Sequence, residues 1–195
     1  MSAWRVLAPP GLTRGCIASS GSRPRRWRRR RVRCSEPLFT TARLAVRLYR
    51  ADDFAAHARL RADSAVTRFM HWDEAVADFP AHIEGWRNRR PPDSLGWINL
   101  AVEDARAALV GDLGVLVEGG RATFGLALKA RARGMGLGRE LACGAMDWLE
   151  AHGVTRFRVE IDDANIASVM LFRGLGFAPG ARKTDRFGPY SVYDA

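Results

Sequence analysis

Residues 131–139 read Arg-Ala-Arg-Gly-Met-Gly-Leu-Gly-Arg, and from Leu137 onward Leu141, Ala145, Trp148 and Leu149 recur at helical spacings. Arg139, Glu140, Asp147 and Glu150 fall between them, so the segment reads as a long amphipathic helix closed by Gly153. Residues 122–129 before the glycines alternate as a strand. A strand that turns through three glycines into such a helix requires a sheet on which the apolar stripe can lie. It is also a recipe for holding phosphate. Glycine lets the backbone approach an anion with positive φ, and the first amides of a helix have no partner inside it. The helix dipole adds about 0.3–1 kcal/mol.

The rest of the chain supplies the sheet. Leu44, Val46 and Leu48 alternate with charged or small residues, the period of a half-buried strand. Asp52 and Asp53 are cap candidates for a helix over 53–62, with Phe54, Ala58 and Leu60 among its buried positions. A stretch at 66–72, a second helix at 77–89 and a turn at Pro91-Pro92-Asp93-Ser94 follow. Strands are expected at 97–102, 108–118 and 122–129, with Gly119-Gly120 as a hairpin turn between the last two. After the long helix come a strand at 155–161, a helix at 165–175 and two extended segments from Phe177 to Tyr193. This order predicts an α+β class: a mixed central sheet of six to seven strands flanked by about four helices.

Of the 195 residues, the first 40 carry ten arginines against the single acid Glu36, whereas residues 41–195 carry 21 basic and 20 acidic side chains. The formal net charge of +10 is thus confined to an extension, and the charge of residues 41–195 gives no support to nucleic-acid binding. Residues 1–40, with Arg25-Arg26-Trp27-Arg28-Arg29-Arg30-Arg31, lack any sustained apolar period and are expected to be a disordered Arg-rich extension. It reads either as a basic arm for RNA, anionic lipid or organelle import, or as a solvated tail. Cys16, Cys34 and Cys143 show neither metal-ligand spacing nor an even count, so Cys143 is expected as a free thiol in a reducing, cytoplasmic setting. No apolar run approaches the roughly 20 residues that cross a bilayer, so a soluble protein is expected.

Rival phosphate cradles are excluded by their own requirements. A P-loop needs Gly-Lys-Ser/Thr after the glycines, and a dinucleotide site needs G-x-G-x-x-G inside a strand-helix-strand unit followed by an acid. Gly134-Met135-Gly136-Leu137-Gly138 fits neither. It resembles the Arg/Gln-x-x-Gly-x-Gly/Ala acetyl-CoA signature of the GNAT superfamily of N-acetyltransferases, with Arg133, Gly136 and Gly138 on its fixed positions. Arg131-x-x-Gly134-x-Gly136 also satisfies the pattern, but the register from Arg133 places the helix correctly. Downstream, Asn165-x-x-Ser168-x-x-Leu171-Phe172-x-x-x-Gly176-Phe177 resembles the superfamily's Asn-x-x-Ala/Ser-x-x-Leu-Tyr-x-x-x-Gly-Phe. The start at Thr41 and the string Val66-Thr67-Arg68-Phe69-Met70 are similar to the branch of ribosomal-protein alanine acetyltransferases. The resemblance spans residues 41–195.

It implies a GNAT-like acyl-CoA N-acyltransferase fold and transfer of an acetyl group from acetyl-CoA to a primary amine, of a protein N-terminus or a small molecule. A non-catalytic acyl-CoA sensor is the alternative. By the resemblance, the amides of Arg133, Gly134, Met135, Gly136, Leu137, Gly138 and Arg139 hold the pyrophosphate, and the Arg133 and Arg139 side chains add charge. Backbone at Leu126, Ala127 and Leu128 pairs with the pantetheine arm, a backbone N–H near Leu126 stabilises the oxyanion, and Asn165, Ser168 and Phe172 contact the coenzyme across a split in the sheet. The partners expected are acetyl-CoA and an amine, with no metal or membrane, nucleic acid only through the basic tail, and a monomer or homodimer.

Two positions depart from the family pattern. Phe172 stands where the family's thiolate-protonating tyrosine is usual, and Thr123 where a glutamate often opens the strand. Ser168 and Glu118 are the catalytic candidates, with water as another route for protonation. Glu103, Asp112 and Glu160 are further base candidates, each set against the reading of a solvated strand-face carboxylate. His57, His71, His82 and His152 read as surface or packed histidines. Phe172, Phe177 and Trp148 read as core, Asn165 also as an N-cap. Phe69, Met70, Trp72, Trp86 and residues 182–190 are expected around the acceptor, and Arg68, Arg182, Lys183 and Arg186 suggest one bearing a carboxylate.

Overall fold

The computed structural model describes residues 36–70, 84–85, 92 and 96–195. Their strands form one sheet in the order β1-β2-β3-β4-β5-β6-β8-β7. The strands are β1 (Phe39–Thr40), β2 (Leu44–Leu48), β3 (Ile98–Asp104), β4 (Leu109–Glu118), β5 (Arg121–Leu128), β6 (Arg156–Asp162), β7 (Ala178–Asp185) and β8 (Gly188–Asp194). All neighbours pair antiparallel except β5 and β6, which run parallel. Four helices accompany them among the described residues: α1 (Phe54–Ala62), α2 (Ser64–Thr67), α3 (Leu137–Glu150) and α4 (Ile166–Arg173). This is the expected α+β architecture with one strand more, because Phe39 stacks on Trp148 at 5.5 Å and draws two residues into the sheet ahead of Thr41.

Local sequence accounts for the connections. Gly119 and Gly120 both have positive φ, +54° and +75°, which lets a two-residue turn join β4 to β5 in register from Glu118↔Arg121 to Gly111↔Leu128. The parallel crossover from β5 to β6 is made by α3, whose Leu141, Ala145 and Leu149 are fully covered.

Strand register sorts the side chains into two unlike layers. One face carries the rows Leu48-Leu100-Leu113-Leu126 and Val46-Val102-Gly111-Leu128, with Ile98-Val115-Phe124 beside them. Helices α3 and α4 pack on this apolar face. The opposite face carries Arg47-Ala101-Asp112-Ala127 and Asn99-Gly114-Gly125. There α1 brings Asp53 and His57 down onto buried polar groups. Arg47 bonds Asp53 through two nitrogens at 2.6 and 2.9 Å and also bonds Glu103. Glu103 and Asp112 are therefore buried, 8% and 1% exposed, which corrects the solvated strand-face reading of both. The acids stay inside because donors were folded in with them.

Three further expectations need adjustment. Phe54 is 46% exposed, because α1 turns His57 and Leu60 inward instead. Cys143 is disulfide-bonded, not a free thiol. Residues 1–35 of the expected extension, most of the helix at 77–89, and Trp72, Trp86, His71 and His82 lie outside the described residues. Among the described residues no helix is long and apolar enough to cross a membrane.

Candidate functional site

The sheet opens at the parallel pair. β5 and β6 hold register for three residues, Arg121↔Arg156, Ala122↔Phe157 and Thr123↔Arg158, and no pairing continues beyond. On the apolar face, the ring of Phe124 sits where pairing stops, edge-on to Phe157, Phe172 and Phe177 at 6.3, 5.8 and 6.2 Å. The remaining edge of β5, residues 124–128, faces the gap with its backbone. Leu126, Ala127 and Leu128 thus lie as expected along the opening, their side chains half-buried or buried and their main chain turned to it.

At the wide end of this gap lies the glycine loop. Gly134 and Gly136 have φ of +73° and +77°, and Gly136 is the N-cap of α3. Residues 133–136 are exposed, so the loop amides and the first turn of α3 face solvent. Gly138 closes the angle between elements: a Cβ there would stand 3.5 Å from Leu171 of α4 and 3.8 Å from Leu128 of β5. α4 starts at Asn165, whose side chain accepts from the Ser168 amide at 3.2 Å. The loop and the α4 N-terminus therefore stand on either side of the opening.

The arginines of the loop are arranged differently from expectation. Arg133 donates to the carbonyls of Leu128 and Ala65 at 2.8 and 3.0 Å, and Arg139 donates to the Gly174 carbonyl at 3.0 Å. Their guanidinium groups brace the loop against β5, α2 and α4 in place of standing open to a phosphate. A third arginine, Arg43 at the start of β2, escaped the sequence reading. It donates to Glu140 and to the Met135 carbonyl at 2.7 and 2.9 Å and reaches to Gly136. Burial works against the charge on Glu140, yet donors from Thr41 and Arg43 outweigh it and hold the carboxyl below its ordinary value. No local pattern joins positions 97 residues apart.

On the polar face of the sheet the same gap meets a cavity of about 280 Å³. Its floor is the cross-strand pair Gly114↔Gly125. Phe69 and Met70 after α2, Trp97 and Tyr190 line it, as do Thr123, Phe124, Glu160, Asp162 and Asp185. Of the residues expected around the acceptor, Phe69, Met70, Asp185 and Tyr190 line this cavity. Asp112 also lines the cavity although 1% exposed. Its oxygens accept from the Tyr49 hydroxyl at 2.7 Å and the Asn99 amide at 2.8 Å, and His57 Nε2 lies 3.7 Å away. Burial, reinforced by the charge of Asp112, drives the Tyr49 hydroxyl well above its ordinary value, so it stays a donor. None of the described lining residues is basic. Arg182 pairs with Asp163 and Lys183 lies 3.6 Å from Glu160, so the described lining does not bear out an acceptor recognised through its carboxylate.

The remaining candidates separate clearly. Glu118 pairs across the hairpin with Arg121, at the end of β5 away from the glycine loop. That is roughly 23 Å along the strand from Leu128, so the structure does not bring Glu118 to the opening. Phe172 is 2% exposed within the ring cluster, so its side chain is core, as one of its two readings had it. Ser168 is half-buried on the first turn of α4, beside the gap. His57 is packed, as one of its two readings had it.

Comparison with known proteins accords with this geometry. The acetyltransferase (GNAT) domain family matches residues 43–178. No curated protein matches the sequence. Among solved structures, spermidine N-acetyltransferase from Vibrio cholerae, in complex with CoA and spermine, superposes with a TM-score of 0.67 at 16% identity. The match covers 78% of this chain and 94% of that one. RimJ from Mycobacterium smegmatis, in complex with CoA-disulfide, gives 0.68 at 16% identity over 82% and 89%. RimL, the ribosomal L7/L12 alpha-N-protein acetyltransferase in complex with coenzyme A, gives 0.69 at 15% identity over 82% and 97%. These likenesses establish a shared fold.

Proposed function

The chain belongs to the GNAT acetyltransferase family, and from that premise we propose that it moves an acetyl group from acetyl-CoA to a primary amine within a ternary complex. The observation that carries the proposal is the three-residue parallel pairing of β5 and β6, with the positive-φ glycine loop on one side of the opening and the cavity on the other. The pyrophosphate sits on the amides of residues 133–139, where unpaired N–H groups and the helix dipole favour anions. The pantetheine arm takes the free edge of β5 at Leu126, Ala127 and Leu128, as a strand would. The thioester carbonyl then meets an amine entering from the cavity, with a main-chain N–H near Leu126 as oxyanion donor.

Holding both substrates at one opening supplies much of the acceleration. The departing thiolate is protonated by Ser168 or water, because Phe172 carries no proton. The amine belongs to a protein N-terminus or a small molecule. Relatives of both kinds share the fold, one with spermine bound and one named for a ribosomal protein.

Titration calorimetry on the full chain tests the coenzyme half. Acetyl-CoA binds, and replacing Gly136 and Gly138 together by valine abolishes binding; absence of binding by the unaltered chain sinks the reading. The alternative of a non-catalytic acyl-CoA sensor is favoured by Phe172. Release of free thiol from acetyl-CoA with any of a panel of amines rules that alternative out.

A further inference from the structure

Two glycines facing each other in the middle of a sheet need an explanation, since each costs roughly 0.5–1 kcal/mol against alanine. Gly114 has one: a Cβ there would stand 2.7 Å from Nε1 of Trp97, so the indole lies on bare backbone. Gly125 has none among the described groups, because nothing lies within 4 Å of the Cβ it lacks. Its missing side chain leaves room in the cavity, one residue along β5 from Leu126.

Beside that room lies Asp112, directly opposite Ala127 in the β4–β5 register. Its donors, the Tyr49 hydroxyl and the Asn99 amide, are uncharged groups, one to each carboxylate oxygen. A carboxylate accommodates about four hydrogen bonds, so each oxygen retains acceptor capacity. The ionisable groups packed nearby come from two elements: Tyr49 after β2, and His57 and Arg61 on α1. An acid so nearly sealed, yet forming part of a cavity wall, is suited to a cation that arrives from the cavity.

Resting on the acetyl-transfer reading, we propose that Asp112 receives the ammonium of the acceptor over the bare backbone of Gly125 and takes its first proton. The position lies about one strand spacing, roughly 5 Å, from the β5 backbone assigned to the thioester carbonyl. The acceptor enters as R–NH3+ and passes one proton to an Asp112 oxygen. The freed nitrogen pair forms the C–N bond, the C–S bond breaks with its pair on sulfur, and a second N–H proton ends on the thiol. Asp112 then returns its proton to solvent.

The test uses the full chain with acetyl-CoA and three amines: 2-phenylethylamine, spermidine and a peptide beginning with alanine. For the best of them, D112N is expected to lower kcat/KM by about 100-fold while acetyl-CoA affinity stays within threefold. With 2-phenylethylamine its kcat/KM should rise nearly tenfold per pH unit from 7 to 9, and with the alanine peptide, whose amine titrates at about 8, only up to about pH 8, because only free amine then reacts; wild type should rise less steeply. A D112N variant that keeps kcat/KM within threefold overturns the proposal. If D112N fails to fold, wild type decides: it should bind trimethyl(2-phenylethyl)ammonium at least tenfold more tightly than the uncharged 3,3-dimethylbutylbenzene. Gly125→Leu, whose Cβ meets no neighbour, should fill the space over the bare backbone and remove that preference without weakening acetyl-CoA. Equal affinity for the two compounds, or a preference that survives in Gly125→Leu, overturns it. Wild type that binds no acetyl-CoA, or releases no thiol with any amine, defeats the acetyl-transfer reading and this inference with it.

Discussion

The two faces of the central sheet bury side chains by opposite means. Beneath α3 and α4 the rows are leucine, valine and phenylalanine, and the stabilisation is the removal of apolar surface from water, about 25 cal/mol per Å². Beneath α1 the rows contain Arg47, Glu103, Asn99 and Asp112, and what holds them is mutual pairing. An apolar face tolerates imperfect partners, whereas a buried charge that loses its partner carries its whole desolvation cost. The glycine loop is attached to the first face and the cavity is cut into the second. The backbone-built half of the site should therefore respond to changes in main-chain conformation, and the side-chain half to changes in charge.

The largest expected effect is on the polar face. Arg47→Ala strands Asp53 and Glu103 and should cost about 3–5 kcal/mol in urea denaturation; a loss below about 1 kcal/mol would erase the contrast between faces. Burial opposes ionisation of Asp53, but Arg47 and the Arg50 amide outweigh it and depress its value below the ordinary 3.8. Its stabilising contribution is therefore complete above the ordinary value and lost as pH falls through the lower native one. Wild type should lose stability below pH 3.8 by this route, and Arg47→Ala should lose less on acidification.

Next in size is Gly136→Val, which forces a β-branched residue into the left-handed region at about 1–2 kcal/mol and displaces the loop amides. We expect acetyl-CoA affinity to fall about 100-fold in calorimetry, with the polar face unaffected. Arg43→Ala removes the brace from Glu140 and Met135 and should weaken acetyl-CoA about fivefold, with a stability change under about 1 kcal/mol because Arg43 is half-exposed and Glu140 keeps its donor from Thr41. The smallest effect is expected from Asn165→Ala, about 1 kcal/mol of stability through the lost N-cap. A drop in acetyl-CoA affinity beyond threefold would show that Asn165 contacts the coenzyme as well as capping α4.

Legibility followed the same division. The succession of strands and helices along the chain, the hairpin at Gly119-Gly120 and the helix after the glycine loop were readable because each depends on a local period or a local dihedral demand. Sequence placed Arg133 and Arg139 at the loop but could not show their partners, the carbonyls of Ala65 and Gly174, which come from α2 and the end of α4. Glu118 looked like a candidate base because proximity in sequence to β5 hides the direction of a hairpin: pairing with Arg121 sends it to the far end. Asp112 and Glu103 looked solvated because an acid on a strand usually is. What reversed that was the descent of α1, which no alternation in β3 or β4 encodes.

The sequence by itself determined where the backbone must bend and where the long helix begins. Positive φ at Gly134 and Gly136, and the apolar stripe beginning at Leu137, are properties of consecutive residues. Only the tertiary structure decided which charged side chains face the opening. Arg43 reaches Glu140, and Tyr49 and Asn99 reach Asp112, through contacts separated by 97, 63 and 13 residues. Side-chain direction along such contacts is set by which helix covers which face, and that is a property of the packed whole.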